Sequence, residues 1–376
     1  MKSLYIHIPF CASFCDYCDF FSVKAENESD ALMDTFLSAL ITDIKYQIEF
    51  FNVKKIETAY IGGGTPSVLG AKRIRVLLNA LKNLPSFTPQ EFTIEANPES
   101  ADEEFLSVCR DGGVNRLSLG VQSFHEPSRS AVNKPADTRL LQERLALASR
   151  YFPEAFSADI IAGLPYQTEE IAVQDIKRLL AFAPSHVSLY SLTLEKGTAL
   201  YQNVKSKKIK LGESEEADAV WLASHDALES EGFQHYEVSN FARPGCRCLH
   251  NIGYWRMEGW LGAGPAASGT IISEDAGTAR RFTYAPDLAR YNETPSIHKA
   301  VVEELDKLAL VKESLLMGYR YCEGPDAQMF KRRFGLAIED CIPRTIARWK
   351  ERDKMLFLNS FLAEAFLELE EKQLFI

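Results

Sequence analysis

Residues 5–20 read YIHIPFCASFCDYCDF, Tyr5 to Phe20, so an apolar β-rich run runs directly into Cys11, Cys15 and Cys18 at CxxxCxxC spacing. Three thiolates on one short loop suit a cubane iron–sulfur cluster whose fourth iron keeps an open position for a small ligand. The competing reading is a zinc knot in which a residue such as His7 supplies the fourth tetrahedral ligand. That reading is the weaker one, because His7 falls inside the expected strand and no second CxxC pair follows at zinc-ribbon distance. Eight cysteines in 376 residues are too sparse for a disulfide scaffold. Cys109, Cys322 and Cys341 read as small buried apolar residues.

Outward from this loop, short apolar runs alternate with helical patterns. Strands are expected at Leu4 to Ile8, Thr58 to Ile61, Glu91 to Ala96, Arg116 to Leu119, Phe156 to Ile161 and His186 to Ser191. Between the first two, Ser29 is a candidate N-cap, and Met33, Phe36, Leu37, Leu40, Ile41, Ile44 and Ile48 mark one helical face. Further helices are expected over Ala71 to Leu84, Asp102 to Asp111, Asp137 to Tyr151 and Glu169 to Phe182. Repeated βα units favour a parallel sheet, either an incomplete six-unit barrel or an open doubly wound sheet. Periodicity does not separate the two, and both gather ligands at the carboxyl ends of the strands. The rhythm stops near Lys205 to Leu211. Tyr236 to Gly269 is rich in Gly, Pro and aromatics, and after Pro295 a helical pattern resumes. The expected division is 1–210 barrel, 211–290 connecting region and 291–376 helical domain.

The strand ends carry the remaining chemistry. IGGGTPS, Ile61 to Ser67, lets backbone approach a ligand closely and offers amide groups to its charged end. Glu95 with Asn97, Gln122 in LGVQSF and Asp159 in ADIIAGLP follow at later strand ends, where carboxylates and amides meet hydroxyl or ammonium groups. Each alone is as well explained by a helix cap or a loop hydrogen bond; three in succession favour a ligand.

A net charge of −10 gives no basic footprint for nucleic acid. There is no apolar run of about 18 residues, and no h-region with a cleavage site follows the first lysine, so the cytoplasm and no transmembrane segment are expected.

With these residues in view, the chain resembles the coproporphyrinogen-oxidase-like branch of the radical S-adenosylmethionine (SAM) superfamily, and within it the HemW-type heme chaperones. The matching stretches are YIHIPFCxxxCxYCDF, IGGGTPS, TIEANPES, GVNRLSLGVQSF, GLPYQT, YEVSNFARPG and CRCLHNIGYW, in that order. The resemblance implies an α/β fold: a partial (β/α)6 radical SAM barrel with a smaller, mainly helical C-terminal domain. It implies a [4Fe-4S] cluster on Cys11, Cys15 and Cys18, with SAM against Tyr5, Gly63, Gly64, Thr65, Glu95, Gln122, Lys134 and Asp159. It also implies heme on the HNxxYW motif, through His250, Tyr254 and Trp255, with Cys248 as a nearby soft ligand. The partners would be heme, a heme-acceptor protein and an electron donor such as a flavodoxin or ferredoxin.

The runner-up is an oxygen-independent coproporphyrinogen III oxidase, a coproporphyrinogen dehydrogenase-like oxidoreductase. Those relatives carry a further cysteine where this chain has Phe20 and a longer amino-terminal extension, whereas here the cluster motif starts at the eleventh residue. Two stretches depart from the chaperone pattern. Asn133, Lys134, Pro135 and Ala136 stand where GRxH is usual, replacing a bidentate arginine with a point charge. GAGPAASG, Gly262 to Gly269, lacks the histidine of GxGAHS.

Overall fold

The computed structural model describes residues 2–135 and 137–375, with the backbone alone for His298. Six strands, β1 (Ser3–Ile8), β2 (Ile56–Gly63), β3 (Phe87–Ala96), β4 (Arg116–Gln122), β5 (Phe156–Ala162) and β6 (His186–Ser191), lie side by side in chain order. All are parallel. A doubly wound sheet reverses its strand order at a switch point; this one does not, which makes it the partial (β/α)6 barrel. The helices expected between strands begin within a residue of where the sequence pattern starts them, and side-chain caps open several of them. Ser29 accepts from the Leu32 amide at the head of α1 (Asp30–Phe50), Asp102 from Phe105 and Asp137 from Arg139.

Period-two alternation divides the central residues of the strands, with Ile161 of β5 as an apolar exception on the polar face. Leu4, Ile6, Ile8, Ala59, Ile61, Phe92, Ile94, Leu117, Leu119, Val187 and Leu189 join the main hydrophobic core beneath the helices. The alternate set, Ser3, Tyr5, His7, Thr58, Tyr60, Glu91, Thr93, Glu95, Arg116, Ser118, Ser157, Asp159, His186 and Ser188, faces the barrel interior and is polar throughout. Closed barrels of this type fill the same positions with Val, Ile and Leu. A polar interior with helices outside therefore marks a site rather than a packed core.

The sheet runs on to twelve strands. Beyond β6, β7 (Gln234–Glu237) and β8 (Asn240–Ala242) add an antiparallel edge. Beside β1, β9 (Trp260–Ala263) pairs in parallel, and β10 (Ser268–Ser273), β11 (Thr278–Thr283) and β12 (Val301–Leu305) continue antiparallel. The helical pattern expected after Pro295 is thus preceded by a strand. Val301 and Val302 suit a pleated edge, and Arg280–Glu304 and Arg281–Glu303 pair across β11 and β12. A second hydrophobic cluster, including Leu310, Val311, Leu315, Phe330, Phe334, Phe361 and Leu369, holds the C-terminal helices against Met257, Ala279 and Leu305. Among the described residues no helix is long and apolar enough to cross a membrane.

Candidate functional site

The cysteine loop leaves β1 and is clamped at its base. Phe10–Cys11 pairs with Val23–Lys24, and the Val23 amide donates to the Pro9 carbonyl at 2.7 Å. His7 Nε2 lies 3.0 Å from the Phe21 carbonyl oxygen and Nδ1 3.1 Å from the Tyr5 hydroxyl. A carbonyl only accepts, so Nε2 carries the proton and Nδ1 accepts from Tyr5. Burial holds the imidazole pKa below its usual value and keeps it neutral. With both nitrogens engaged, His7 anchors the loop and is not free to serve as the fourth ligand of the zinc reading. Further out, the Asp16 amide donates to Val132 O at 3.0 Å and Asn133 Nδ2 to Phe14 O at 2.7 Å.

All three cysteines are free; Cys11 and Cys15 are half-buried and Cys18 is exposed. Burial, and the charge of the neighbouring thiolates, push the Cys11 and Cys18 thiols up. Each thiolate raises the cost of ionising its neighbours, and three cysteines on one loop are the donor set a cluster would require.

The glycine turn fits against this loop. A Cβ on Gly64 would lie 2.7 Å from Phe10 O and 3.1 Å from Cys11 Sγ, and Gly63, at φ +111°, would meet the His7 ring at 2.6 Å. These glycines therefore serve first to let β2 approach the cysteine strand and its anchor, a packing role the sequence reading assigned to ligand approach. Gly64→Ala should destabilise the chain by about 1–3 kcal/mol and lower its iron content after reconstitution, measured by urea unfolding and iron analysis.

Inside the mouth, one hydrogen-bond chain reaches the first cysteine. Lys134 Nζ donates to Asn97 Oδ1 (3.2 Å), Asn97 Nδ2 to Thr65 Oγ1 (3.0 Å) and Thr65 Oγ1 to Cys11 Sγ (3.6 Å). Glu95 accepts from Tyr60 OH at 2.7 Å and from the Gly63 amide at 3.2 Å. Burial pushes Glu95 up to about 7, with the Asp159 charge adding to the rise. Burial likewise pushes Asp159, which accepts from Ser118 Oγ at 3.3 Å, up to about 6. Gln122 sits at a bulge in β4 with φ +60°, and its Oε1 is buried without a partner. Backbone in that region and an orphaned acceptor together are costly for a residue with no ligand to meet. The structure thus gathers Tyr5, Gly63, Gly64, Thr65, Glu95, Gln122, Lys134 and Asp159 on the interior and mouth beside the cysteine loop. The sequence reading missed Tyr60 and Ser118, which bind the two carboxylates and share the inward period-two positions.

The pH response follows from Glu95. Between its ordinary value of 4.5 and about 7 the folded chain holds a proton that the unfolded chain has lost, so this group's contribution to stability falls as pH rises through that window. A cationic ligand meeting the ionised carboxylate restores it. The Tm gained on adding SAM should therefore be larger at pH 7.5 than at pH 5.5, as read by differential scanning fluorimetry.

The HNIGYW stretch lies at the opposite end of the barrel. It forms a short helix, Leu249–Trp255, that closes the amino-terminal ends of the strands. Glu91 of β3 accepts from the Leu249 and His250 amides, both at 2.8 Å, and lies 3.3 Å from Cys248 Sγ. Thr58 Oγ1 donates to Ser3 Oγ, so it accepts from His250 Nδ1 at 3.0 Å, and His250 Nε2 accepts from Tyr254 OH at 2.8 Å. His250 is 1% exposed, and burial lowers its pKa to about 3. Trp255 packs edge-on to Tyr236 and stacks on Tyr321.

The family model of the Radical SAM superfamily matches residues 5–179. The heme chaperone HemW of Lactococcus lactis subsp. lactis (strain IL1403) is 33% identical over 340 residues, covering 90% of this chain and 86% of its own. The chain belongs to the HemW heme chaperone family of radical SAM proteins. The mitochondrial radical S-adenosyl methionine domain-containing protein 1 of Mus musculus is 34% identical over 328 residues, 85% of this chain and 73% of its own. The fold is also that of the Escherichia coli coproporphyrinogen III oxidase HemN, with a TM-score of 0.78, 21% identity, and coverage of 97% of this chain and 89% of that one.

As a radical SAM family member, the chain takes a [4Fe-4S] cluster and SAM as its cofactors, and the donors gathered at the mouth fit both. The HNxxYW residues do not fit heme in the same way. Both His250 nitrogens are occupied, Cys248 and Trp255 are buried, and the helix closes the floor of the barrel. His250, Tyr254 and Trp255 are therefore placed as floor residues, because Thr58 and Glu91 supply the partners that an exposed motif would lack. GAGPAASG runs along β1, where Cβ atoms on Gly262 and Gly264 would meet Ser268 O at 2.2 Å and His7 O at 2.4 Å. Ala136 lies outside the described residues.

Proposed function

We propose that this protein binds heme in the cytoplasm and transfers it to an acceptor protein, using a SAM-loaded [4Fe-4S] cluster at the barrel mouth. The reading rests on one observation: similarity to a HemW chaperone across nine-tenths of the chain, and the hydrogen bonds that hold the cysteine loop support it. Cys11, Cys15 and Cys18 hold the cluster. Bound there, it would supply the one-electron reduction of SAM.

The chain's own residues bind and orient. Glu95, once ionised, takes the SAM ammonium, and Gln122 Oε1 accepts from a hydroxyl or amine. Asp159 and Tyr5 line the interior, and the Gly63–Thr65 turn, whose amides donate to Glu95, Ile8 O and Phe10 O, holds the cysteine strand beside them. Lys134 positions Asn97 and Thr65, which hold Cys11. The proposed organisation is a barrel over 1–210, a connecting region over 211–290 that supplies the floor, and a C-terminal unit over 291–376. Titration of anaerobically reconstituted protein with hemin should give a saturable Soret band at one heme per chain and loss of that band when apo-acceptor is added. A featureless titration sinks the chaperone reading.

One observation favours a catalytic second reading. Thr93 Oγ1 and Arg116 Nη2 are buried in the barrel without partners, as a polar substrate would require. Anaerobic incubation with coproporphyrinogen III, SAM and reductant tests it; absence of both protoporphyrinogen and 5′-deoxyadenosine excludes the oxidase.

A further inference from the structure

Next to the cysteine loop, residues 199–210 form a strap. The short helix Ala199–Lys205 starts at Thr198, whose Oγ1 accepts from the Tyr201 amide at 3.2 Å. After it, Lys207 turns into the left-handed region at φ +59°, and the Lys208 and Ile209 amides both donate to Asn203 O, at 2.9 and 3.2 Å. The strap is bonded to the loop between the second and third cysteines. The Leu200 amide donates to Asp16 O at 2.7 Å, and Asn203 Nδ2 to Asp16 Oδ2 at 3.2 Å. Beneath it, Leu200, Val204 and Ile209 pack with Tyr17 of the same loop.

Its outer face carries Lys205, Lys207, Lys208 and Lys210, all exposed. Among the described residues none of the four makes an ion pair, whereas Lys2, Lys24, Lys55 and Lys312 each have a carboxylate partner. Of the acidic residues that follow, Glu213 and Glu216 are tied to each other's backbone in the capping box of the helix Ser214–Ser230, and among the described residues neither they nor Glu215 and Asp218 form an ion pair with the four lysines. In a chain of net charge −10, four unpaired cations within six residues are a local reversal of sign. The backbone that carries them is tied down by the two amides donated to Asn203 O and by the bonds to Asp16. Phe14 and Phe20, 41% and 68% exposed, stand on the adjoining loop.

We infer that this lysine strap is the docking surface for an acidic one-electron carrier protein that reduces the cluster held by the neighbouring loop. The inference rests on the cluster assignment above. One electron leaves the carrier, which is oxidised, and enters the cluster, which is reduced; no bond changes. Electron tunnelling falls steeply with distance, so the carrier must sit beside the loop. Complementary charge steers such encounters, and electron-transfer complexes need only small interfaces, below about 1,200 Å². Exposed aromatic rings at the edge of a charged patch supply the apolar centre of such an interface.

The test uses the reconstituted holoprotein and, as probe, an acidic flavodoxin. Flavodoxin hydroquinone should bleach the cluster absorbance in stopped flow at a rate that falls as ionic strength rises. Lys205→Glu, Lys207→Glu, Lys208→Glu and Lys210→Glu together should slow that rate at low salt at least tenfold, flatten its salt dependence and weaken flavodoxin binding in calorimetry to a similar degree. The milder Lys207→Gln, Lys208→Gln pair should lie between. Photoreduction by deazaflavin and hemin titration should be unchanged. The inference is overturned by an unchanged flavodoxin rate, by an equal loss with deazaflavin, or by loss of hemin binding in its place, which would make the strap a propionate site. A wild-type preparation that binds no cluster defeats the cofactor reading itself, whereas one that is reduced with salt dependence yet binds no heme defeats only the chaperone reading.

Discussion

Replacing Cys11, Cys15 and Cys18 together with serine is expected to leave a folded chain that takes up no iron or sulfide and stays colourless after anaerobic reconstitution. Serine hydroxyls do not ionise near neutral pH and are poor ligands for cluster iron, so the donor set is lost. The fold depends little on the three sulfurs. Cys15 and Cys18 lie in a loop held by backbone groups, His7, Asn133 and Asn203, and the Cys11 thiol is bonded by the Thr65 and Ser22 hydroxyls, which a serine oxygen can also meet. Far-UV circular dichroism and the unfolding midpoint of the apoprotein should therefore match the parent closely. Five other cysteines remain, with Cys109, Cys248 and Cys341 buried, Cys246 half-buried and Cys322 exposed. A brown chromophore in the triple variant would mean that iron is held by those, and the site at the barrel mouth would lose its central assignment.

Period-two alternation made the barrel legible. All six expected strands form, because each is a short run with one apolar face buried under helices and bounded by turn residues. The Ser29 cap was equally readable, since a cap is a local hydrogen bond, whereas Asp102 and Asp137, expected as the first helical residues, turn out to be the caps. The same alternation carries the interior: Tyr60, Thr93, Ser118 and Ser188 stand in register with Glu95 and Asp159. Polar residues at every second place of a buried strand are what a filled cavity writes into a sequence. What stayed out of reach depends on contacts between distant segments. β9 pairs with β1 although Trp260 and Ser3 lie far apart in the chain, and no local pattern announces that register. The Lys134–Asn97–Thr65–Cys11 chain joins four segments, so its members could be suspected singly but not as a unit. The glycines of IGGGTPS were noticed for the right reason, freedom of approach, but the close neighbours turned out to be His7 and the strand bearing Cys11.

The position of the HNIGYW helix separates a ligand from a floor, and His250→Ala decides between them. The substitution removes an imidazole that is 1% exposed and packs against Tyr60 at 5.3 Å between ring centroids. It also leaves the Tyr254 hydroxyl without its acceptor and the Thr58 hydroxyl without a donor, both enclosed beneath the barrel. A cavity of ring size plus unpaired hydroxyls should cost about 3–5 kcal/mol, seen as a lower urea midpoint for the apoprotein. The cost has a pH signature. Folding lowers the His250 pKa from 6.5 to about 3, so between those values the unfolded chain binds a proton that the folded chain refuses. The residue's contribution is therefore complete above pH 6.5 and is lost as the solution is acidified towards pH 3. The difference between parent and variant should be largest at pH 7.5 and shrink by pH 5. Tyr254→Phe keeps the ring and removes one hydrogen bond, so it should cost only about 1 kcal/mol and serves where the alanine variant folds poorly. In either variant, hemin titrated at a temperature well below unfolding should still give a one-to-one Soret complex. A variant of near-parental stability that loses the Soret band would show that this imidazole reaches iron, and the floor assignment would have to be abandoned.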